Sequence, residues 1–183
     1  MEPNISKIFT HIPNDDEILF LKQLDIRYVH VWVLEDELHM NQISNLKNRL
    51  SKNGITLWML GCKELCKNEK IILNLPGREI EIRKFKNMLQ IMGDLNIPTT
   101  VFTWEPSGVW SSGVTETRGA QTRFVDAKEM KQRPFTHGRE YVYEELEINF
   151  HYFLDQISKT ALDCGVTLAL HPNDPPLDAI GGI

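Results

Sequence analysis

Apolar runs of strand type alternate with helix-period segments along this whole sequence, and that alternation limits the possible folds more than any other feature. Strand-type runs occupy residues 5–12, 28–34 (YVHVWVL), 55–60 (ITLWML), 99–104 (TTVFTW) and 166–170 (VTLAL). Between them lie segments of helical period. Asn14 and Asp15 can cap a first helix carrying Ile18, Leu19, Leu21 and Leu24. The acidic run Glu35-Asp36-Glu37 suits the positive end of a second, striped by Leu38, Ile43, Leu46 and Leu50 and stopped at Asn53-Gly54. A polar loop precedes a third helix at about 78–95, with Ile82, Phe85, Leu89, Met92 and Leu95 on one side. The longest is expected at about 139–164, with Tyr143, Leu146, Phe150, Phe153, Ile157 and Ala161 inward and Gly165 at its end.

Strands joined by helices of this length need crossover connections, so the sheet should be mainly parallel. Two α/β architectures satisfy the order. One is an open, doubly wound five-stranded sheet; the other is a βα barrel seen up to its fifth strand. Periodicity leaves both open. Either way, chemistry belongs at the carboxyl ends of the strands. His11, Glu35, Gly61-Cys62, Trp104-Glu105 and His171 then share one rim. Residues 1–183 read as a single domain whose one unusual connection, about 105–138, is far longer than ordinary loops and is expected to be an active-site loop.

Composition removes several classes. With 42% hydrophobic and 25% charged residues and a formal net charge of -5, the chain is neither fibrous nor strongly disordered, and carries no basic field for nucleic acid. No apolar run approaches the ~18 residues of a membrane helix. The start MEPNISKIF has no secretory pattern, and three cysteines do not make a disulfide framework, so a cytoplasmic location is expected. Nucleotide-binding glycine patterns, a zinc-protease helix and a serine elbow are all missing.

The most informative string is His171-Pro172-Asn173-Asp174-Pro175-Pro176. A histidine closing a buried strand faces the mouth of the sheet, where neutral imidazole can bind a first-row divalent metal. The prolines fix the loop, and Asp174 can orient the ring or meet a substrate hydroxyl. The alternative is a strand-end histidine bonded to a neighbouring loop. In the long connection, Arg118 beside Gly119 offers a guanidinium fork and a free amide to one carboxylate, with Trp110 as a floor for a sugar-like molecule. The alternative there is a solvated loop with Trp110 packed beneath it. Cys62 and Cys66 lack the partners of a zinc site, and His30 reads as a core histidine. Glu35 and Glu105 end strands and can act as acid, base or ligand; Glu35 serves equally well as a helix-start charge.

The stretches VWSSGVTETRGAQTRFVD, from Val109, and VTLALHPNDPPLDAIGGI resemble the mannonate dehydratase family, most strongly over residues 109–183. Two positions depart from the family pattern: Asn173 stands where the fuller motif has Asp, and the glycine pair is reduced to Gly119-Ala120. The resemblance implies a (β/α)8 TIM barrel of the xylose-isomerase type that dehydrates D-mannonate to 2-keto-3-deoxy-D-gluconate in glucuronate catabolism, using Mn2+ or Fe2+. His171 then matches the metal-binding histidine, and Arg118, Gly119, Trp110 and Asp174 fall to substrate binding, with the catalytic acid and base unassigned. It further implies that these residues are the first five βα units of a longer barrel, inactive alone, whose open edges leave room for a homo-oligomer. A sugar isomerase or epimerase of the same barrel type, and a non-catalytic five-stranded binding module, are the competing expectations.

Overall fold

The computed structural model describes residues 5–106 and 110–183. Val109, which opens the motif-bearing connection, lies outside the described residues. The elements follow in chain order: β1 (Ser6–Phe9), α1 (Asp15–Gln23), β2 (Tyr28–Val33), a 3-10 turn (Glu35–Glu37), α2 (Met40–Lys52) and β3 (Thr56–Cys62). Then come α3 (Lys63–Cys66), α4 (Glu69–Ile72), α5 (Arg78–Asp94), β4 (Thr99–Thr103), β5 (Gly113–Thr117) and β6 (Ala120–Phe124). The last are α6 (Ala127–Lys131), α7 (Tyr143–Asp163) and β7 (Thr167–His171).

Strand order bears on the two architectures. Five strands pair in parallel as β1-β2-β3-β4-β7, each crossover adding its strand at the same end of the sheet. A doubly wound sheet reverses direction part-way; this sheet does not, and it is wound as a βα barrel is. β5 and β6 form a separate antiparallel hairpin.

Alternation along β2 shows why these residues make a strand. Val29, Val31 and Val33 are fully buried towards the helices, whereas Tyr28, His30 and Trp32 are half-buried on the other face. One apolar cluster joins those valines to Ile43, Leu46 and Leu50 of α2, Phe85 of α5 and Phe153 of α7. Phe153 meets Phe85 and Phe102 edge-to-face, with ring centres 5.2 and 5.5 Å apart. Gly93 brings α5 against the end of α7: a Cβ there would lie 2.7 Å from Cys164 Cβ. Helix α1 starts with a capping box, Asn14 Oδ1 accepting from the Glu17 N–H and the Glu17 carboxylate from the Asn14 N–H, both at 2.9 Å.

Several expectations need correction. In α1 only Ile18 and Leu21 are buried; Leu19 is a turn-step round the helix and Leu24 is its C-cap, so both stay exposed. Glu35–Glu37 do not begin α2. Glu37 turns back to accept the Leu34 N–H at 2.7 Å, closing a separate 3-10 turn. The expected polar loop after β3 holds α3 and α4, which bury Leu65, Ile71 and Ile72. The long connection is not all loop, since it contains β5, β6 and α6. α7 starts at Tyr143 rather than near Arg139, and Tyr143 is exposed rather than inward. His30 lies half-buried on the helix-free face rather than in the core, and burial lowers its proton affinity.

Candidate active site

The site begins with the parallel register. Thr103 of β4 pairs with His171 of β7, so the segments leaving both strands emerge side by side at the same rim. His171 is exposed, and its Nδ1 lies 2.6 Å from the Pro172 carbonyl oxygen. A carbonyl only accepts, so Nδ1 donates here, and in the neutral ring Nε2 is the nitrogen left with a lone pair. That is the tautomer a metal or an acidic substrate hydrogen requires.

Beyond Thr103, the backbone is anchored by Trp104. Its indole Nε1 donates to the Leu146 carbonyl of α7 at 3.1 Å, and its ring meets Phe150 and Phe153 with centres 5.0 and 5.7 Å away. Glu105 follows, its side chain 13% exposed and its Oε1 3.5 Å from Lys67 Nζ. That oxygen is sealed from solvent and has no hydrogen-bond partner among the described residues. The Lys67 contact is close enough for charge attraction but too long for a good hydrogen bond. Burial pushes the Glu105 carboxyl above the ordinary carboxylate range, while Lys67 and the Asp174 backbone amide pull it back.

Trp104, Glu105, Trp110, Phe150, Asn173 and Asp174 contribute to the wall of a cavity of about 610 Å3. Its remaining wall comes from the start of α7 and the closing segment of the chain. That segment is stitched to residues 134–141: the Thr136 N–H donates to Gly181 O at 2.9 Å and the Tyr141 N–H to Gly182 O at 2.7 Å. Gly182 has φ +86°, and a Cβ there would lie 2.7 Å from the Phe135 ring and 2.8 Å from Arg139 O. Only glycine fits this crossing.

A family model described as D-mannonate dehydratase (UxuA) matches residues 119–183. Over 185 residues the chain is 25% identical to the mannonate dehydratase of Geobacillus thermodenitrificans, covering 82% of this chain and 48% of that protein. The chain is therefore similar to the mannonate dehydratases. It spans about half the length of the curated relatives it matches. Among solved structures, the mannonate dehydratase of Streptococcus suis serotype 2 superposes with a TM-score of 0.76 at 19% identity, over 98% of this chain and 54% of that one. The D-psicose 3-epimerase of Clostridium cellulolyticum H10 gives 0.61 at 14% identity, over 96% of this chain and 54% of that one. The α/β fold therefore resembles xylose-isomerase-like barrel proteins.

The mannonate dehydratase match takes in His171 and Asp174, and the structure places both at the rim, Asp174 in the cavity wall. Trp110 also lines the cavity, with the Arg133 guanidinium over its ring at 5.3 Å, itself tied to Glu129 at 2.8 Å. Arg118 and Gly119 do not line it. They form the two-residue turn between β5 and β6 at φ +53° and +78°, both exposed. Their adjacency meets the demand of a tight hairpin for positive φ at both central positions. Other rim residues are engaged elsewhere. His11 Nε2 lies 2.9 Å from Glu17, and Glu35 pairs with Lys84 at 2.8 Å. Cys62 and Cys66 are buried, and burial pushes their thiols up to about 12 and about 11, so they remain protonated. Sequence reading missed Lys67 entirely, because nothing local to a lysine between two short helices marks it as a partner of Glu105.

Proposed function

We propose that this chain supplies the β4–β7 rim of a cytoplasmic enzyme that dehydrates D-mannonate to 2-keto-3-deoxy-D-gluconate, in glucuronate catabolism. The observation that carries the reading is the family match over residues 119–183, because this stretch holds His171, the cavity-wall segment 173–180 and α7. The 25% identity to a mannonate dehydratase over most of the chain supports it independently. No helix among the described residues is long and apolar enough to cross a membrane.

The reaction explains the residue types. Removing the proton beside a carboxylate leaves an enediolate, which needs fixed positive charge or donors, and expelling the neighbouring hydroxyl needs an acid. A Mn2+ or Fe2+ ion would supply charge stabilisation. Its fit to this chain is partial. His171 offers one well-prepared nitrogen, but no three His, Cys, Asp or Glu side chains converge among the described residues. A first-row ion generally takes several protein ligands, of which His171 would be one. The chain's own parts do the rest: Trp110 floors the cavity, Asp174 meets a sugar hydroxyl, and the apolar wall of Trp104 and Phe150 limits water. Arg118 and Gly119, on the projecting hairpin, reach a substrate carboxylate only if the hairpin folds over the rim.

The test is turnover by the intact enzyme on a panel of aldonic acids, aldoses and ketoses with Mn2+ or Fe2+ present. Formation of a 2-keto-3-deoxy acid from D-mannonate is expected. Isomerisation or epimerisation of neutral sugars without any action on D-mannonate would replace this reading with that of a sugar isomerase.

A further inference from the structure

Buried carboxylates in this protein fall into two kinds. Glu81 has an 8% exposed side chain and is served from three sides: Asn68 at 3.3 Å, Lys84 at 3.4 Å and Lys70 at 3.5 Å. It is a structural anion with its acceptors occupied. Glu105 is nearly as buried but is met only by Lys67, at 3.5 Å, and the Asp174 amide, and its Oε1 has no hydrogen-bond partner among the described residues. A buried acceptor left without a partner is costly, so such a group survives where it has another task. Its position supplies the task. Glu105 follows the strand position paired with His171 and lines the cavity, whereas the cavity's other acids, Glu140, Glu147, Asp174 and Asp178, are exposed.

We propose that Glu105 is the proton-transfer residue of this site, with Lys67 as the positioning residue that holds its carboxylate. The assignment rests on the dehydration reading above. The Glu105 carboxylate takes the proton from the carbon beside the substrate's carboxylate, and the C–H electron pair becomes the enediolate. As the enediolate expels the neighbouring hydroxyl, the protonated Glu105 returns that proton to it. Water and the enol of the keto acid leave, and Glu105 ends as it began. The surroundings suit both halves of the cycle. Burial and the Asp174 charge favour the protonated form, while Lys67 and the Asp174 amide favour the carboxylate. Lys67 keeps the charged form in place without donating a tight hydrogen bond that would compete with the incoming proton.

The experiment compares the intact wild-type enzyme with its Glu105→Gln and Lys67→Met variants. It reads D-mannonate binding by calorimetry, turnover with its pH profile, loss of the carbon-2 deuteron from labelled D-mannonate, and the Glu105 carboxyl titration by carbon-13 NMR without metal or substrate. Glu105→Gln is expected to bind D-mannonate as the wild type does and to lose turnover and deuteron exchange by at least about 100-fold. Removing the Lys67 charge raises the Glu105 titration, and the acid limb of the rate profile should move to higher pH with it. Wild-type turnover and exchange in Glu105→Gln would overturn the catalytic assignment alone. A Glu105 titration that Lys67→Met leaves in place would overturn the role of Lys67. An intact wild-type enzyme that binds D-mannonate neither with nor without Mn2+ would instead remove the dehydration reading, and the Glu105 mechanism with it.

Discussion

Replacing Phe153 with alanine removes the side chain through which α7, α5 and β4 meet. Phe153 is 2% exposed and lies against Phe85, Phe102 and Trp104, with ring centres 5.2, 5.5 and 5.7 Å away. A buried phenylalanine truncated to alanine costs about 3–5 kcal/mol. Three aromatic neighbours, fixed on α5, on β4 and just beyond β4, leave little room for collapse, which places this site at about 4 kcal/mol, taking the aromatic contacts as part of that figure. With a urea slope of about 2 kcal/mol/M, the unfolding midpoint should fall by about 2 M while the slope holds. Equilibrium urea unfolding followed by tryptophan fluorescence measures it. The control is Leu162→Ala, 81% exposed on the same helix, expected within about 0.5 kcal/mol of wild type. A loss below about 1 kcal/mol at Phe153 would refute the placement of α7 on this sheet.

Gly93→Ala forces a methyl into the 2.7 Å gap at Cys164 and should destabilise the chain by about 1–3 kcal/mol, read from the same unfolding curves; an unchanged curve would mean α5 and α7 are further apart. The Cys62 and Cys66 thiols should resist a disulfide reagent at pH 8 until the chain unfolds, and fast native labelling of either would contradict their burial. Their folded values lie above the ordinary thiol value of 9.0, so the unfolded chain releases these protons first. Stability should therefore be unaffected by them below that pH and fall above it, which chemical unfolding at several alkaline pH values measures.

How much was legible beforehand differs by element for physical reasons. The five parallel strands stand out because strands covered on a face by helices need runs such as Val29, Val31 and Val33, whose burial is total. The rim position of His171 was legible as well, since the apolar run VTLAL ends on it. The tautomer that frees Nε2 was not, because it depends on where the Pro172 carbonyl turns. The β5–β6 hairpin escaped notice because both strands lie on the surface and carry no apolar alternation; only the Arg118-Gly119 turn marks it. Helices α3 and α4 are too short to show a period. The Lys67–Glu105 contact joins two loops that only the sheet brings together, and no local pattern reports such a pair.

The most direct measurement is a crystal of this chain soaked with Mn2+ and D-mannonate, the metal located by its anomalous signal. Manganese is expected within ligating distance of His171 Nε2, with the sugar acid lying between it and the Glu105 side of the cavity. Manganese bound without His171, or the sugar acid seated away from this rim, would contradict that placement.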